Sequence, residues 1–510
     1  PPIDWLCTAD LTAFQGVKRS LENAVFYLFN HKIDKTVRKV MKGKVMDDLI
    51  DWDESRLETN QAERKKQSDY QALIQYALDD AKWCYKIAEK YVSTWPRLEM
   101  DLSAHTRKLG ETGVQIHTGR LDKFIDRLEE IKSDCANKIP WDEPYLSPGK
   151  IKNHCTSIGV EPPESVAQSN YKFERWCEEH KGSKALGWIE PFKRYRMANM
   201  HLERMLNIQR RLDQNDVLPF GLKYYAAHTG RWGGDQKINF QNFPRLPWEG
   251  MDFRSLIIPR PGHLFITADF SQIEARTLLW MAKDEKQIKA IRRGAHPYEA
   301  HARATMDWKG GELKKENQSL YQLAKARVLG LGYGCGHKRF VEVAKMMAGV
   351  ELSEHEAERT VKSFRASNPL IIQLWNKLHR ELRVSFRDGW HGIPLPSGRA
   401  LHYRNLERRG GDIYGEMVLG EGGRKLYGGK LCENYIQAIA RDVMAEKIIE
   451  LELEGYRVAY HVHDEVVVEI QEDIASDHLD RIANILEKDL SWYEGLPLGV
   501  DAEIVDCYKK

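Results

Sequence analysis

The sequence predicts an α+β protein in which helical modules are attached to a catalytic sheet. Two apolar segments of strand length each lead into an acidic residue, at HLFITAD (263–269) and at RVAYHVHDEVVVEI (457–470). A long stretch with helical patterning, from about 285 to 390, separates the two. Strands that lie far apart in the chain around a helical insertion are typical of this fold class.

The remaining segments are predicted mainly as helices. The N-terminal region is charged and helical in pattern, most clearly over ERKKQSDYQALIQYALDDAKWCYKIAEKYV (63–92). Residues 96–215 are helix-rich, but IPWDEPYLSPGK (139–150) is predicted as a loop because proline lacks a backbone donor. A glycine-rich stretch, 410–429, precedes a predicted helix over KLCENYIQAIARDVMAEKIIELEL (430–453).

The composition is that of a globular protein. Of the 510 residues, 42% are hydrophobic and 30% are charged, and the net charge of +2 neither requires nor excludes a polyanionic partner. No stretch has the apolar length of a membrane span, and no signal-peptide pattern is present. The eight cysteines include no C-x-x-C pair, which argues against a zinc cluster and against a disulfide framework.

Two aspartates are candidate metal ligands. Asp269 lies where a predicted strand ends and a helix begins, and Asp464 lies in a predicted two-residue turn between two strands. Carboxylates at the ends of rigid strands are well placed to share a pair of divalent ions. The alternatives are a helix N-cap for Asp269 and a turn residue for Asp464. His461 and His463 alternate on one strand without a suitably spaced third ligand, so zinc is not predicted.

Glycines occupy every second position from Gly330 to Gly336 in LAKARVLGLGYGCG (323–336). Glycine costs about 1 kcal/mol relative to alanine in a helix, so four of them within seven positions indicate a special role. The spacing does not match G-x-G-x-x-G or a Walker-type loop. The spacing leaves open a phosphate loop, a helix end or a helix that something large approaches closely.

Several ordered motifs together resemble those of family A DNA polymerases, the bacterial polymerase I family, and look most like its phage-encoded branch. Three segments resemble motifs A, B and C of that family: DFSQIEAR (269–276), K-x7-YG (325–334) and VHDE (462–465). Three more resemble the segments that precede motifs A and C: HTGRW (228–232), INFQNFPR (238–245) and ENYIQAIARD (433–442). The resemblance extends from about residue 96 to the C-terminus.

The resemblance implies a right-hand polymerase, with a palm built on an antiparallel sheet and with helical fingers and thumb. The thumb is expected at 96–215, the palm at 216–283 and 410–510, and the fingers at 284–409. The implied activity is template-directed addition of dNTPs to a primer 3′ end by two-metal-ion nucleotidyl transfer, in DNA replication or repair. The implied cofactor is Mg²⁺, as two ions, for which Mn²⁺ can substitute.

The resemblance also implies the catalytic residues. Asp269 and Asp464, with the backbone carbonyl of Phe270, are the expected metal ligands. Lys325 is expected to bind the triphosphate and to protonate the leaving group. Glu274 matches a steric-gate glutamate that fills the space a ribose 2′-hydroxyl needs, so it is expected to exclude ribonucleotides.

The other expected nucleotide-contacting residues are Gln272, His301, Gln318, Tyr321 and Tyr333. Two positions depart from the family pattern. The arginine usually found four residues before the motif B lysine is here Tyr321, and the aromatic residue four positions after it is here Leu329. Gln318, Lys314 or Lys315 are candidate substitutes for the missing arginine. Gly330 and Gly332 are expected to let the nascent base pair pack closely, and Gly334 and Gly336 to end the helix.

Four residues match positions that contact the primer–template terminus: Arg231, Gln437, Asn434 and His463. Minor-groove contacts of this kind use acceptors present on every correct base pair, so they test geometry without reading sequence. The expected partners are primer–template DNA and dNTPs, with accessory replication proteins as further candidates. No membrane partner is expected, and the expected location is the cytoplasm, that of a bacterial host if the source is a phage.

The N-terminal region, residues 1–95, resembles part of a polymerase-linked 3′–5′ exonuclease domain of RNase H-like fold. Tyr76-x3-Asp80 matches the third motif of such a domain, and VKRSLENAVFYLF (17–29) resembles a segment upstream of it. The other exonuclease motifs are absent from the sequence, and one carboxylate cannot hold two metal ions, so no proofreading is predicted. The expected explanation is a fragment that begins inside an exonuclease domain.

Two alternatives belong to other functional classes. A single-subunit RNA polymerase shares the palm, but Glu274 favours a DNA polymerase. A catalytically silent DNA-binding or scaffold protein is disfavoured because Asp269, Lys325 and Asp464 are all present.

Overall fold

The computed structural model describes residues 6–40, 61–166, 171–180, 182–235, 240–384 and 390–509. Of the segments named above, the first two residues of INFQNFPR and a part of the N-terminal region lie outside the described residues.

The N-terminal region consists of helices that share a core with the rest of the protein. Within its described residues the helices are α1 (Thr8–Phe14), α2 (Leu21–Phe29), α3 (Thr36–Val40) and α4 (Gln61–Tyr91). The helix predicted over 63–92 is confirmed as α4. Leu11 and Ile87 from this region pack in one cluster with Trp95, Tyr224 and Trp232. Within the described residues before Trp95, no β-strand is present. No sheet there supports the prediction of an RNase H-like remnant.

The next helices in the described part of the chain are α5 (Arg97–Thr112), α6 (Thr118–Ala136), α7 (Pro148–Ser157), α8 (Tyr171–Glu179) and α9 (Ile189–Gln209), of which α6 and α9 pack as an extended pair. Helices α6 and α9 bury apolar side chains at helical spacing, such as Leu121 and Leu128 on α6 and Leu202 and Met205 on α9. The predicted loop at 139–150 ends in α7, whose Pro148 lies at the first helical position behind the N-cap Ser147.

Ten helices complete the chain as the structure describes it: α10 (Ile273–Ala282), α11 (Glu285–Arg292), α12 (Pro297–Thr305), α13 (Leu313–Glu316), α14 (Gln318–Ala326), α15 (His337–Ala348), α16 (Glu354–Ser367), α17 (Pro369–Val384), α18 (Gly428–Leu453) and α19 (Ala475–Glu487). A π-helical segment, Arg327–Leu331, continues α14.

The strands within the described residues are β1 (Val114–Ile116), β2 (Val217–Leu218), β3 (Gly221–Lys223), β4 (Gly233–Asp235), β5 (Ile257–Ile258), β6 (His263–Phe270), β7 (Trp390–Pro394), β8 (Ala400–Arg409), β9 (Asp412–Glu416), β10 (Arg424–Leu426), β11 (Arg457–Val462), β12 (Glu465–Gln471) and β13 (Val500–Val505). A central antiparallel sheet has the order β11-β12-β6-β13.

The central sheet is covered on both faces. Alternate residues of β6 enter different cores: Phe265 packs with the α6–α9 cluster, whereas Ile266 and Ala268 pack with α18 and α19. The predicted hairpin is confirmed, since β11 ends at Val462 and β12 begins at Glu465. This packing fixes the ends of β6 and β12 from both sides, which is what a precise site at those ends requires.

A second antiparallel sheet has the order β10-β9-β8-β7. Its β8–β9 hairpin pairs Arg409 with Asp412. The hairpin therefore crosses the boundary between fingers and palm that the sequence predicts at residues 409 and 410. Asn434 on α18 reaches this sheet through a hydrogen bond from its Nδ2 to the Tyr403 hydroxyl, 3.1 Å long.

Candidate active site

The two aspartates lie at neighbouring strand ends. In the register of β12 and β6, Glu465 is directly opposite Asp269, and Asp464 is the residue before Glu465. The Phe270 amide donates a 2.9 Å hydrogen bond to the Asp464 carbonyl oxygen, which ties the hairpin turn to the end of β6. Adjacent strands lie about 4.8 Å apart, so the backbones of Asp269 and Asp464 are close neighbours at this end of the sheet. Both aspartates are half-buried and remain open to solvent.

The turn between β11 and β12 is shaped by His463. This residue has φ +56°, the left-handed conformation that lets two residues reverse the chain. Its side chain is exposed, whereas His461 is buried against Trp232, at 4.7 Å between ring centroids. Burial lowers the pKa of His461 to about 3, so this imidazole is neutral. Among the described residues, no group of three or more histidine, cysteine or acidic residues is arranged to hold a metal ion.

Glu465 has a partner that the sequence analysis missed. Its buried carboxylate accepts a 3.0 Å hydrogen bond from the hydroxyl of Tyr508 near the C-terminus. Arg254 in turn donates to the Tyr508 hydroxyl at 3.3 Å. The C-terminal segment thus holds the residue next to Asp464, a contact between residues too far apart in the chain for any local sequence signal.

The predicted steric gate and a predicted primer contact touch each other. Arg231 Nη2 donates to Glu274 Oε1, and the two side chains are 34% and 29% exposed. Glu274 lies in the first turn of α10. Beside it, burial, followed by the Glu274 charge, raises the pKa of the Tyr333 phenol well above its usual range. The structure therefore brings together Arg231, Glu274 and Tyr333, which the sequence places far apart.

The turn before α10 is held by an interaction that the sequence did not indicate. Gln272 adopts φ +52°, and its Oε1 accepts a hydrogen bond from the hydroxyl of Tyr298 on α12. Burial raises the pKa of Tyr298 beyond its ordinary value, so the hydroxyl remains a donor. Tyr298 is one ring of a cluster in which Tyr321 lies 5.7 Å from it and His296 lies 4.8 Å from it.

Lys325 lies on α14, eight residues before Tyr333. Within the part of the chain that the structure describes, it has no ion-pair partner, and its side chain is half-buried. Gln318 begins the same helix and is exposed, as are Lys314 and Lys315 on the preceding helix. Tyr321, by contrast, packs on aromatic rings and presents no positive charge.

The two histidines of this region differ in position. His301 is 2% exposed, lies 5.6 Å from the Phe364 ring and bonds Thr305, so its predicted phosphate contact has no support in this geometry. His296 is half-buried and faces the tyrosine cluster beside α14. Burial, followed by the charges of Arg276 and Lys314, lowers the pKa of His296. The sequence analysis therefore missed His296, although it precedes Pro297 at a helix start and could have been singled out.

The glycines of the stretch 323–336 only partly have the surroundings that the sequence predicts. A Cβ at Gly330 would meet Val343 at 2.9 Å, and a Cβ at Gly332 would meet Leu278 at 2.9 Å. Both glycines thus permit close packing within the protein, which corrects the expectation that they face the nascent base pair. Gly334, at φ +80°, turns the chain away from the helical axis, as expected.

The next contact of this turn is with α18. A Cβ on Gly429 would lie 2.3 Å from the Tyr333 carbonyl oxygen, so this end of α18 must approach the turn without a side chain. Trp375 fixes the same segment by donating a 2.9 Å hydrogen bond to the Gly332 carbonyl.

The predicted DNA contacts divide into two groups. Arg231 and His463 line one small pocket together with Asp464, so both lie beside this candidate metal ligand. Gln437 is half-buried on α18. Asn434 is buried and its amide bonds Tyr403, so this side chain is used inside the protein.

A buried ionic network lies behind the Arg231 loop. Arg441 donates to both oxygens of the Glu99 carboxylate, with 2.8 Å between Nη2 and Oε2. Arg399 Nε donates to Asp442 at 2.7 Å, and all four side chains are at most 4% exposed. The network joins α5 and α18 to the segment before Arg231, and only the folded chain brings its members together.

The predicted exonuclease residues form a closed contact. Lys35 Nζ bonds Asp80 at 2.8 Å and the Tyr76 hydroxyl at 2.9 Å, and it lies 4.6 Å from the centre of the Tyr76 ring. An ammonium group thus neutralises the Asp80 carboxylate. The exonuclease assignment itself remains a prediction.

In the described part of the chain, every helix is too short or too polar to cross a membrane.

The chain is similar to known polymerases. A family model described as DNA polymerase family A matches residues 193–408. The DNA polymerase of Bacillus phage SP02 is 30% identical over 464 residues, which cover 76% of this chain and 70% of the phage protein. DNA polymerase I of Aquifex aeolicus is 28% identical over 319 residues, with 59% of this chain and 47% of that protein covered.

A solved structure shows the same fold. The POL domain of Pol1 from M. smegmatis, in a complex with DNA primer-template and dNTP, has a TM-score of 0.68 and 16% identity, covering 98% of this chain and 81% of that one. The motifs, the apposed strand-end aspartates, the α+β right-hand fold and the extended similarity to the phage protein agree. We conclude that the chain belongs to DNA polymerase family A and is a DNA-directed DNA polymerase.

Proposed function

We propose that this chain adds dNTPs to the 3′ end of a primer along a DNA template by two-metal-ion nucleotidyl transfer. The observation that carries the proposal is the apposition of Asp269 and Asp464 at the ends of neighbouring strands. The space beside Asp464 is bordered by Arg231 and His463. Residues from β6, the β11–β12 turn and the segment before motif A therefore converge on one point.

The donor set fits hard divalent cations, and family A DNA polymerases use divalent metal ions. Asp269 and Asp464 supply carboxylate oxygens, and the Phe270 carbonyl is the proposed third protein ligand. A set of few protein ligands suits Mg²⁺, which keeps waters and substrate phosphates in its coordination shell. When bound, a pair of Mg²⁺ ions lowers the pKa of the primer 3′-hydroxyl and neutralises the charge that develops on the leaving pyrophosphate.

The triphosphate is proposed to lie along α14. Lys325 has no ion-pair partner among the described residues, and its ammonium suits phosphate as a point charge and a proton donor. His296 lies beside Lys314, and we propose that these two, with Gln318, take over the contacts of the arginine that Tyr321 replaces. Because burial lowers the pKa of His296, its imidazole is neutral at pH 7 and contributes as a hydrogen-bond donor or acceptor.

We propose the remaining parts of the hand in the same way. The α6–α9 pair is the proposed thumb, and the sheet that carries Asp269 is the proposed palm. The fingers are proposed to run from α11 to α17, with the β7–β10 sheet joining them to the palm. Gln437 and His463 are the proposed contacts to the primer–template end.

Primer extension tests this proposal. The chain should extend a labelled primer on a DNA template in the presence of dNTPs and Mg²⁺, and Asp269→Asn should abolish extension. Asp473→Asn provides a matched control, because Asp473 is exposed just beyond the opposite end of β12. Extension by the Asp269 variant at the wild-type rate would contradict the proposed role. Preference for rNTPs over dNTPs in the wild type would instead favour an RNA polymerase.

A further inference from the structure

The gate residue and the primer-reading residue form one ion pair. Arg231 comes from the segment just before β4, and Glu274 from the first turn of α10. Their contact uses Arg231 Nη2 and Glu274 Oε1. A guanidinium has five N–H donors, so this bond leaves donors for a second partner.

The backbone just before Arg231 is anchored by the buried network. Arg441 Nε donates a 2.9 Å hydrogen bond to the Gly230 carbonyl, and Arg399 Nη2 donates a 3.1 Å hydrogen bond to the Thr229 carbonyl. Gly230 itself has φ +90°, which only glycine adopts at low cost. The position from which Arg231 reaches Glu274 is therefore set by a rigid part of the molecule.

The backbone before Glu274 is anchored independently. The left-handed turn at Gln272 is tied by its side chain to the Tyr298 hydroxyl on α12. The next residue, Ile273, is buried in the core beneath α18. With the backbone of both partners fixed, the ion pair determines where the Glu274 carboxylate points.

We infer that Arg231 is a positioning residue for sugar selection: it holds the Glu274 carboxylate in the orientation that excludes a 2′-hydroxyl. The inference rests on the proposed function and deepens it. Arg231 then joins two recognition events, since one side chain bonds the sugar gate and keeps donors for the primer end. Correct placement of the primer terminus and correct orientation of the Glu274 carboxylate then both depend on the Arg231 guanidinium.

The test measures sugar discrimination, the ratio of dNTP to rNTP insertion efficiency on a matched primer–template. Arg231→Lys and Arg231→Ala should lower this ratio about two- to tenfold, the range expected for a partly exposed ion pair. In a Glu274→Ala background, which lowers the ratio by itself, Arg231→Ala should cause no further change. Arg260→Ala is the control, because Arg260 makes a 2.7 Å ion pair with Glu469 elsewhere on the palm sheet.

The ratio separates positioning from a general loss of activity. The Arg231 variants are expected to insert dNTPs more slowly as well, but a merely structural defect lowers both insertion rates and leaves their ratio unchanged. An unchanged ratio in Arg231→Ala, or an equal drop in the Glu274 and Glu274→Ala backgrounds, would overturn the inference alone. Failure of the wild type to insert any nucleotide would overturn the proposed function and this inference with it.

Discussion

Replacing Glu99 by glutamine should destabilise the protein strongly. Glu99 is 2% exposed, and its carboxylate accepts two hydrogen bonds from Arg441 and one from the Tyr224 hydroxyl. The network contains two carboxylates and two guanidiniums, so the wild-type charges cancel. Glu99→Gln preserves the shape of the side chain but leaves one positive charge uncompensated.

The magnitude follows from burial. Breaking a buried ion pair by removing one partner costs about 3–5 kcal/mol. Asp442 stays 3.3 Å from Arg441 Nη1 and compensates part of the buried positive charge that Glu99→Gln leaves unpaired. We therefore expect the lower end of the range, about 3 kcal/mol in the free energy of unfolding, or roughly 150-fold in the equilibrium constant.

The assay is urea-induced unfolding followed by circular dichroism, together with hydrogen exchange of the peptide that covers residues 224–232. Exchange should accelerate there first, because Arg441 and Arg399 hold the carbonyls of Gly230 and Thr229. Glu111→Gln is the control, since Glu111 is exposed on the same helix. A loss of stability for Glu99→Gln no larger than that of the control would refute the reasoning.

The pH dependence supplies a second check. Burial opposes the Glu99 charge, but the Arg441 and Arg399 guanidiniums and the Tyr224 hydroxyl together outweigh burial and lower the pKa of Glu99 below its usual 4.5. A carboxyl whose folded pKa is depressed contributes its full stability above the unfolded pKa and loses it as the pH falls through the folded pKa. The wild type should therefore lose stability below about pH 4.5 more steeply than Glu99→Gln.

Three further outcomes are expected. Gly429→Ala places a Cβ against the Tyr333 carbonyl and should cost about 1–3 kcal/mol in urea unfolding; an unchanged midpoint would show that the α18 end can retreat. Lys325→Ala should weaken apparent dNTP affinity about 10- to 100-fold in single-nucleotide insertion while primer–template affinity, measured by fluorescence anisotropy, stays constant. Asp80→Asn should lower the free energy of unfolding by at most about 1 kcal/mol, because its pair with Lys35 is partly exposed, and should leave primer degradation unaltered; a nuclease activity that disappears in this variant would contradict the predicted lack of proofreading.

The central strands were predictable because their signals are local. Length and apolar alternation predict the strand that ends at Asp269. The same signals predict the two strands that His463 and Asp464 join. The pairing of β6 with β12 was implied by the family resemblance alone, since nearly two hundred residues separate them and no local pattern encodes their register.

The contacts that fix the site were not predictable in this way. Glu99 and Arg441 are charged residues in helical segments, and charged residues are usually exposed, so the sequence favours a solvated role for each. The Tyr298–Gln272 bond and the Tyr508–Glu465 bond likewise join segments with no common motif. Gly330 and Gly332 were expected to pack against the nascent base pair, but they pack against Val343 and Leu278. A glycine indicates that some group approaches the backbone closely, and the sequence does not show which group it is.

Helix α18 carries a mechanical consequence. Its 26 residues form a rod about 39 Å long, with Gly429 at the fingers end and Arg441 about 18 Å further along. A tilt of about 3° about Arg441 displaces Gly429 by about 1 Å, given the rise of the helix per residue. Any movement of the proposed fingers that displaces Gly429 therefore tilts α18 about its buried contacts with Glu99, and Arg441 transmits the strain to the loop that holds Arg231.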